Sequence, residues 1–519
     1  MKKILFFILS LLLITLSVDA RIRWVTPRGA DVNTGADSSS TGAWLTWQQG
    51  FLNAEAGDTV YIRGGVYYPT EYYSYYASVI YLNGGYVGAE VVGHTGTAAN
   101  PICIWAYPPD YAAGNFPILD CRLIDPGEPG VDEQRYTTAI DMSLINYIHL
   151  KGLTIRNMYQ RYSNVMCQGI YCAGNSNMIF ENLTVHNIGG RAITSFQTLA
   201  YTTSQDETIT TDSTYFLNCD VYNMCDSLDP DPSYQYEEPR TSYVAGLGDG
   251  FKIQCTAGAY MLVYGCRSWH FSDDGIDFNG EGLLSVVNCW ISRGGDFTFT
   301  NEDGTYGGEE GNGIKYGALT YDVNTVTRIL NNNLVVYNGG IGFDENNSRV
   351  EFYNINGEIY NNTTYRNSIG FGNFSQNPDD LPYANKYFNN IGYQDIRYAR
   401  GDEAGDIVEG YNSWDENSYT WPNAERIPLT DDDFISVDTA QLYLPRQSDG
   451  SLPEITFLKL ASTSDAIDAG TDVGLAFNGA APDIGADETN YSYTPPDSPI
   501  NIGGKWGVSR NGNLLKKQE

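Results

Sequence analysis

Three versions of one phrase stand in the middle of the chain: Gly-Asp-Gly-Phe-Lys-Ile at 248–253, Ser-Asp-Asp-Gly-Ile-Asp-Phe at 272–278 and Gly-Asn-Gly-Ile-Lys-Tyr at 311–316. In each version a glycine is followed by an apolar, a variable and an apolar residue. Alternation with a period of two is typical of a β-strand with one buried face. Because the phrase returns along the chain, the sequence predicts neighbouring strands in a stacked, repetitive fold.

The variable position of this phrase carries charged side chains. When the three glycines are aligned, this position holds Lys252, Asp277 and Lys315. The residue just before the glycine is Asp249, Asp274 or Asn312. If the phrases form neighbouring strands, the variable residues share one outward column with a spacing of roughly 4.8 Å. Carboxylates and amines would then be concentrated in one small patch of surface.

A longer repeat surrounds this stretch and predicts the architecture. A phrase such as Asn-Leu-Thr-Val-His-Asn begins at residues 152, 182, 218, 265, 288, 333 and 362, and a glycine phrase follows it in each coil. Two short strands per coil, separated by Gly and Asn, favour an all-β fold, a right-handed parallel β-helix, and recurring Asn predicts side-chain amide ladders. A β-propeller would need four strands per repeat, which we do not find. The expected inward residues are Leu153, Leu183, Cys219, Cys266, Cys289 and Leu334.

The remainder of the chain divides into four predicted parts. Residues 1–20 contain Lys2 and Lys3, then an apolar run and a small-residue cleavage site, as in a secretory signal peptide. Residues 21–100 predict an N-terminal cap and first coils, with a short helix at 44–56 and a strand at Val60 and Ile62. Residues 101–423 form the β-helix body. Residues 424–519 form a loop-rich segment that packs on the helix and ends in a polar tail.

Composition limits the partners. The chain has 63 acidic against 30 basic residues and a formal net charge of −33, which argues against nucleic acid, since phosphate binding needs clustered bases. An acidic substrate would need a local cation or a few placed bases. The leader predicts a secreted protein, periplasmic or extracellular, and no later run is long enough to span a bilayer. We expect a monomer.

The nine cysteines are an odd number, so at least one has no partner within the chain. Cys219, Cys266 and Cys289 occupy matching repeat positions, which favours a buried column of thiols over disulfide bridges. No Cys and His spacing typical of a zinc site is present.

Four aspartates form the candidate metal site. Asp273 and Asp274 follow Asp249 by about one coil, and Asp277 projects from the next strand. Several hard oxygen ligands suit Ca²⁺, and such a cluster of like charges would be strained without a cation. The alternative is that these aspartates cap their own turns and face water. Four acids in register with lysines favour the calcium site.

Lys315 is the candidate general base. It stands in the coil beside Asp277, and a lysine close to a bound dication is pushed toward its neutral, proton-accepting form. A single lysine on a strand is otherwise a solvated surface residue.

Basic residues near the aspartates are candidates for substrate binding. The sixth residue of the first phrase is His270 and Arg293 in the two coils that bracket the aspartates. In the other coils we align Asn157, Asn187, Asn223, Asn338 and Asn367 with this position. Hydrogen-bond donors at His270, Arg293 and Lys252 would suit the anionic groups of a polymer. The alternative is that each pairs with a nearby acid.

These motifs resemble polysaccharide lyase family 9, a family of calcium-dependent β-eliminating enzymes on a parallel β-helix. The phrases at 445–453 and 482–488 are similar to the family's closing segment. The resemblance implies that Asp249, Asp273, Asp274 and Asp277 bind calcium and that Lys315 is the catalytic base. It implies cleavage of an acidic plant cell-wall polysaccharide, polygalacturonate or rhamnogalacturonan, with an unsaturated uronate end. The chain departs from the family pattern at Tyr316, Ala318 and Ile276, which bears on the identity of the substrate.

Two other functions remain open from the residues. A glycoside hydrolase on the same fold would use carboxylate pairs as acid and base, but it gives Lys315 no task. A carbohydrate-binding β-helix without catalysis is favoured only by the many tyrosines. Calcium-independent activity would indicate the hydrolase, and inactivity on every uronan would indicate the binding protein.

Overall fold

The computed structural model describes most of the chain between residues 20 and 489. The described residues are 20–72, 77–85, 90–125, 135–160, 165–197, 213–225, 248–295, 299–300, 306–307, 311–317, 325–345, 354–373, 385–401, 407–414, 427–489, 506–508 and 514–516. The predicted signal peptide and most of the polar tail lie outside these residues.

In the described ranges, three long parallel sheets form the body, and the chain passes through them in turn. Sheet 1 has 12 strands: Ile22–Val25, Thr59–Ile62, Ile102–Ala106, Ile148–Lys151, Ile179–Glu181, Ser213–Leu217, Tyr260–Tyr264, Leu283–Val287, Thr325–Asn331, Asn354–Tyr360, Asn385–Phe388 and Ile407–Gly410. Sheet 2 has 10 strands: Gly65–Tyr67, Pro117–Asp120, Thr154–Met158, Thr184–Ile188, Asp220–Met224, Arg267–Phe271, Trp290–Gly294, Leu334–Val336, Thr363–Tyr365 and Ile391–Tyr393. Sheet 3 has 10 strands: Ser78–Asn83, Arg135–Ser143, Val165–Ala173, Gly190–Phe196, Phe251–Cys255, Ile276–Gly280, Ile314–Lys315, Ile341–Asp344, Ile369–Asn373 and Arg397–Gly401.

The remaining elements are short. Two antiparallel pairs join Phe299–Thr300 to Tyr306–Gly307 and Trp506–Val508 to Leu514–Lys516. The α-helices are Trp47–Asn53 and Pro108–Ala112, and the 3₁₀-helices are Asp431–Asp433 and Thr439–Tyr443. No helix in the described ranges is long and apolar enough to cross a membrane.

The predicted parallel β-helix is confirmed, but the expectation of two strands per coil is wrong, because a full coil contains three. The missed strands are those of sheet 1, such as Tyr260–Tyr264 with the sequence Tyr-Met-Leu-Val-Tyr. This strand does not alternate because its outer side is also covered: Leu262 is buried in a separate cluster with Leu217 and Tyr215. A strand with apolar residues on both faces lacks the period of two that identifies a strand in sequence.

The expected inward column holds for five of its six residues. Leu153, Leu183, Cys219, Cys266 and Cys289 are all buried in the main core. Leu334 is the exception, because it pairs with Trp290 in sheet 2 and packs in a second, outer cluster. In the coil that follows Cys289, the matching inward position is therefore Asn333, and our alignment of this coil was wrong by one residue.

Buried asparagines continue that column, as the recurring Asn predicted. Asn333 Nδ2 donates to Asn362 Oδ1 at 2.9 Å, and Asn362 Nδ2 donates to Asn390 Oδ1 at 3.0 Å. Asn390 Nδ2 continues to Asn412 Oδ1 at 3.1 Å. Each Oδ1 also accepts a backbone N–H of the preceding coil. The ladder thus satisfies polar groups inside the helix and fixes the stacking of these coils.

Asn362→Ala is expected to lower the free energy of unfolding by about 3 kcal/mol, because it leaves buried partners in two neighbouring coils without hydrogen bonds. Asn223→Ala is the matched control: Asn223 donates to Asn187 at 2.9 Å in an exposed ladder, so water can replace the bond. Denaturant unfolding of both variants measures the difference. Equal losses would show that the buried ladder adds nothing specific.

All nine cysteines are free thiols, in agreement with the expected absence of bridges between Cys219, Cys266 and Cys289. These three are fully buried, and the backbone N–H of Cys219 donates to the Cys266 sulfur at 3.3 Å. The thiols therefore act as small apolar core residues.

The N-terminal residues fold as a helix and strands against the first coils. The helix Trp47–Asn53 is shorter than the predicted range 44–56, and the Thr46 side chain caps it by accepting from Gln49 N at 3.3 Å. Trp47 and Phe51 belong to the main core cluster together with Val25 and Val60.

The segment 427–489 packs on the outer face of sheet 2. Phe434, Phe457 and Ile484 share an apolar cluster with Leu334 and Tyr365 of that sheet. An ion pair also joins this segment to sheet 2, because Arg446 Nη2 donates to Asp220 Oδ1 at 2.8 Å. This packing brings Tyr443 next to the sheet 2 strands Arg267–Phe271 and Trp290–Gly294.

Candidate active site

Three carboxylates converge where sheet 2 passes to sheet 3. Asp249, Asp274 and Asp277 each offer one oxygen, and these oxygens all lie within 4.8 Å of one another. The coil stacking places them, since Gly250 N donates to Asp274 O at 2.9 Å in the next coil. A Cβ at Gly250 would lie 2.4 Å from the carbonyl oxygen of Gly275, so only glycine allows this close approach.

The predicted outward column is present in sheet 3. Lys252 is in register with Asp277, and Asp277 is in register with Lys315. The column continues to Thr194 on one side and Asp344 on the other. The glycine phrase therefore gave the correct alignment of the three strands.

Each of the three carboxylates contacts a basic side chain. Lys315 Nζ donates to Asp274 Oδ2 at 3.1 Å, and Lys252 forms an ion pair with Asp277. Arg191 Nε donates to Asp249 Oδ2 at 3.1 Å. The sequence analysis missed Arg191 because it aligned Gly190 with Gly250. That alignment is wrong by two residues, since Ile193 is in register with Phe251.

Asp273 lies beside this group but is not one of the three converging carboxylates. Burial raises the pKa of Asp273 to about 10, and the charges of Asp249 and Asp274 act in the same direction. Burial also raises the pKa of Asp274 to about 6, although the Lys315 charge opposes the shift. The carboxylates are thus crowded enough that an added positive charge would stabilise their ionised forms.

The two lysines of the column differ in their pKa shifts. Burial lowers the pKa of Lys315, but the charges of Asp274 and Asp273 and the hydrogen bond to Asp274 outweigh it and hold this pKa above its ordinary value. Carboxylates alone stabilise the ammonium form, whereas a dication bound beside Lys315 would favour the predicted neutral amine. Burial lowers the pKa of Lys252, and the Asp249 charge offsets this only in part.

The donor set fits a divalent cation. All three converging ligand groups are buried carboxylates, the hard oxygen donors that Ca²⁺ and similar ions prefer. Asn312 orients one of them, since its Nδ2 donates to Asp274 Oδ1 at 3.0 Å while its Oδ1 accepts from Ile341 N. The arrangement can hold a cation next to a lysine amine, which is the combination that proton abstraction beside a carboxylate requires.

The structure places His270 and Arg293 near the ends of the sheet 2 strands Arg267–Phe271 and Trp290–Gly294, both with positive φ. Arg293 Nε donates to Tyr443 OH at 3.0 Å, and the His270 ring lies 6.3 Å from the Tyr443 ring. The C-terminal segment thus supplies a contact that the sequence did not predict.

The alignment that singled out these two residues is partly wrong. Because Trp290 pairs with Leu334, the residue that matches Arg293 in the next coil is Tyr337 rather than Asn338, and Arg366 follows it rather than Asn367. Asparagine does not return at this position, so the break in the repeat no longer argues for a special role. The two residues still flank the site, and their role stays a prediction.

Comparison with known proteins places the chain in a family. The profile described as "Pel9A-like, right handed beta helix region" matches residues 23–390. The chain belongs to this Pel9A-like family. The expected resemblance to polysaccharide lyase family 9 and the right-handed parallel β-helix are both confirmed.

Named relatives of this Pel9A-like chain are lyases. Pectate lyase L of Dickeya chrysanthemi is 26% identical over 475 residues, which cover 91% of each chain. Pectate lyase PEL9 of Emericella nidulans is 24% identical over 480 residues, which cover 86% of this chain and 94% of the relative.

Two solved structures have a similar fold. Pectate lyase Pel9A superposes with a TM-score of 0.62 at 21% identity and covers 91% of this chain and 96% of its own. A rhamnogalacturonan lyase has a TM-score of 0.57 at 21% identity, with 85% of this chain and 97% of its own covered. The family and its relatives agree with the sequence-based expectation of a polysaccharide lyase.

Proposed function

We propose that this protein is a secreted, calcium-dependent lyase that cleaves an acidic pectic polymer, polygalacturonate or rhamnogalacturonan, by β-elimination. The observation that carries the proposal is the buried trio of carboxylates, of which Asp277 is in register with both Lys252 and Lys315. The names of the relatives, pectate lyase L and PEL9, support the choice of a pectic substrate. Secretion rests on the leader-like residues 1–20.

The chain's own residues define the reaction. Asp249, Asp274 and Asp277 would hold the calcium ion, with Asp273 beside them. Bound calcium would polarise the uronate carboxylate and make the neighbouring C5 proton more acidic. Lys315 Nζ, in its neutral form, accepts that proton while the electrons form the C4–C5 double bond. The C4–O bond breaks, its oxygen leaves with the other sugar and takes up a proton, and the new end is a 4,5-unsaturated uronate.

A product assay tests this function. Incubation with a panel of pectic polymers should yield products with the ultraviolet absorbance of an unsaturated uronate on at least one of them. Products without that absorbance would indicate a hydrolase, and inactivity on all uronans would leave a carbohydrate-binding protein.

Lys252→Ala and Arg293→Ala are each expected to raise the KM for a uronan about tenfold or more, because each variant loses a hydrogen bond to a charged group of the substrate. The midpoint of thermal unfolding should change little. Lys252 lies one strand from Asp277, and Arg293 flanks the carboxylates, so both would contact anionic sugars; His270 would act beside Arg293. Arg366→Ala, at the matching position two coils further on, is the control with an unchanged KM. Unchanged kinetics in both variants would confine the site to the aspartates and Lys315.

A further inference from the structure

A polar cavity lies along sheet 2, away from the carboxylates. It is an open depression with a volume of about 350 Å³, and it is lined by Arg122, Arg156, Asn157, Tyr159, His186 and Asn187. This volume is within the range of small-molecule sites. Three strand spacings, roughly 14 Å, separate the strand of Arg156 from the strand Arg267–Phe271 that leads into Asp273.

Arg156 is held in a position suited to an anion. Its Nε donates to Asp120 Oδ2 at 2.8 Å. Its two Nη groups form no hydrogen bond with any residue in the described ranges. The guanidinium is therefore fixed at one edge while its terminal donors face no competing partner there, an arrangement that suits two-point binding of a carboxylate.

The charge around the cavity is positive on balance. Arg122 and Arg156 both contact the fully buried Asp120, and Asn157 Nδ2 donates to the same carboxylate at 2.9 Å. Burial opposes the ionisation of Asp120, but the hydrogen bonds from these three residues hold its pKa at about 2. Two guanidinium groups thus face one carboxylate and leave a local excess of positive charge, in a protein with a net charge of −33.

His186 adds a polar atom without a partner. Its Nδ1 is buried and forms no hydrogen bond with the residues that the structure describes. The ring is stacked on Tyr222 at 4.5 Å, and Tyr222 is stacked on Trp269 at 4.4 Å. Burial lowers the pKa of His186, so the ring is neutral at neutral pH and contributes a hydrogen bond rather than a charge.

A polar row connects this cavity with the carboxylates. Asn187 donates to Asn157 and Asn223 donates to Asn187, both at 2.9 Å, near the ends of three neighbouring strands of sheet 2. His270 takes the matching position in the next coil, just before Asp273 and Asp274. A polymer that lies along this row can reach both sites at once.

We propose that the cavity is a distal subsite that binds the carboxylate of a second uronate residue of the same polymer, through the Nη groups of Arg156 and the Nδ1 of His186. The inference rests on the proposed lyase function and deepens it: the enzyme would prefer long uronans over short ones because the two sites are separated by several sugar-binding positions.

Kinetics on substrates of two lengths test the subsite. Arg156→Gln is expected to raise the KM for polymeric uronan about tenfold or more and to leave the KM for the shortest cleaved uronide unchanged. His186→Phe keeps the stack on Tyr222 and removes Nδ1, so it should show the same split without disturbing Asp120. Lys386→Gln, which removes one positive charge from sheet 1, is the matched control.

A binding measurement without turnover separates this inference from the proposed function. In the Lys315→Ala background, calorimetry with a long oligogalacturonide should show affinity about tenfold weaker when Arg156→Gln is added. An unchanged affinity together with an unchanged KM in both variants would overturn the subsite. Equal effects on short and long substrates would also overturn it. A wild type without lyase activity would contradict the proposed function, and the calorimetry would still decide the subsite.

Discussion

Lys315→Ala is expected to lower the turnover number on a uronan by at least about a hundredfold, the usual contribution of a positioned general base. Lys315 Nζ donates to Asp274, one of the three converging aspartates, and Lys315 is in register with Asp277. Alanine removes the only atom there that we assign to accept the C5 proton. Calcium affinity and the thermal midpoint should change far less than turnover, because the three carboxylates are retained.

Two variants make this test specific. Lys315→Arg keeps the positive charge but cannot lose its proton at any working pH, so it should be as inactive as alanine. Lys252→Ala removes the other lysine of the same column, on the opposite side of Asp277, and should affect the KM more than the turnover number. A Lys315→Ala variant that retained more than about a tenth of the wild-type rate would have lost less than a general base contributes. Another residue would then have to be the base.

Chelation of divalent cations is expected to abolish activity, and added Ca²⁺ should restore it. Asp249, Asp274 and Asp277 are buried within reach of a single ion, so Asp277→Asn should weaken calcium binding by at least about tenfold, because a neutral amide replaces a charged ligand. Calorimetry with calcium alone measures the affinity independently of turnover.

The control for this series is Asp449→Asn, which changes an aspartate of the C-terminal segment whose carboxylate accepts from Ser451. It should bind calcium as the wild type does. Turnover that survives exhaustive chelation, or equal calcium affinity in Asp277→Asn and wild type, would contradict the assignment of the metal site.

The glycine phrase made the centre of the site predictable. A glycine followed by alternating residues fixes which side chains point outward, so the sequence alone predicts one column of Lys252, Asp277 and Lys315, and the strand register confirms it. The convergence of Asp249 with Asp274 followed from the coil period in the same way. The roles of the aspartates as metal ligands and of Lys315 as the base are predictions that the variants above test.

Register errors explain what the sequence did not predict. The run Asn331-Asn332-Asn333 offers three equivalent starting points for the first phrase, and we chose the wrong one, which misplaced Leu334. Arg191 was missed because its strand is paired two residues away from the apparent alignment. Contacts such as Arg293 with Tyr443 join residues 150 positions apart and leave no periodic signal in the sequence.

The most direct test of the central claim is the mass and ultraviolet spectrum of the products formed from polygalacturonate or rhamnogalacturonan, with calcium and after chelation. We expect products lighter by one water than those of hydrolysis, with the absorbance of an unsaturated uronate, formed only when calcium is present. Saturated products of hydrolytic mass, or unsaturated products formed equally well without any divalent cation, would contradict calcium-dependent β-elimination at this site.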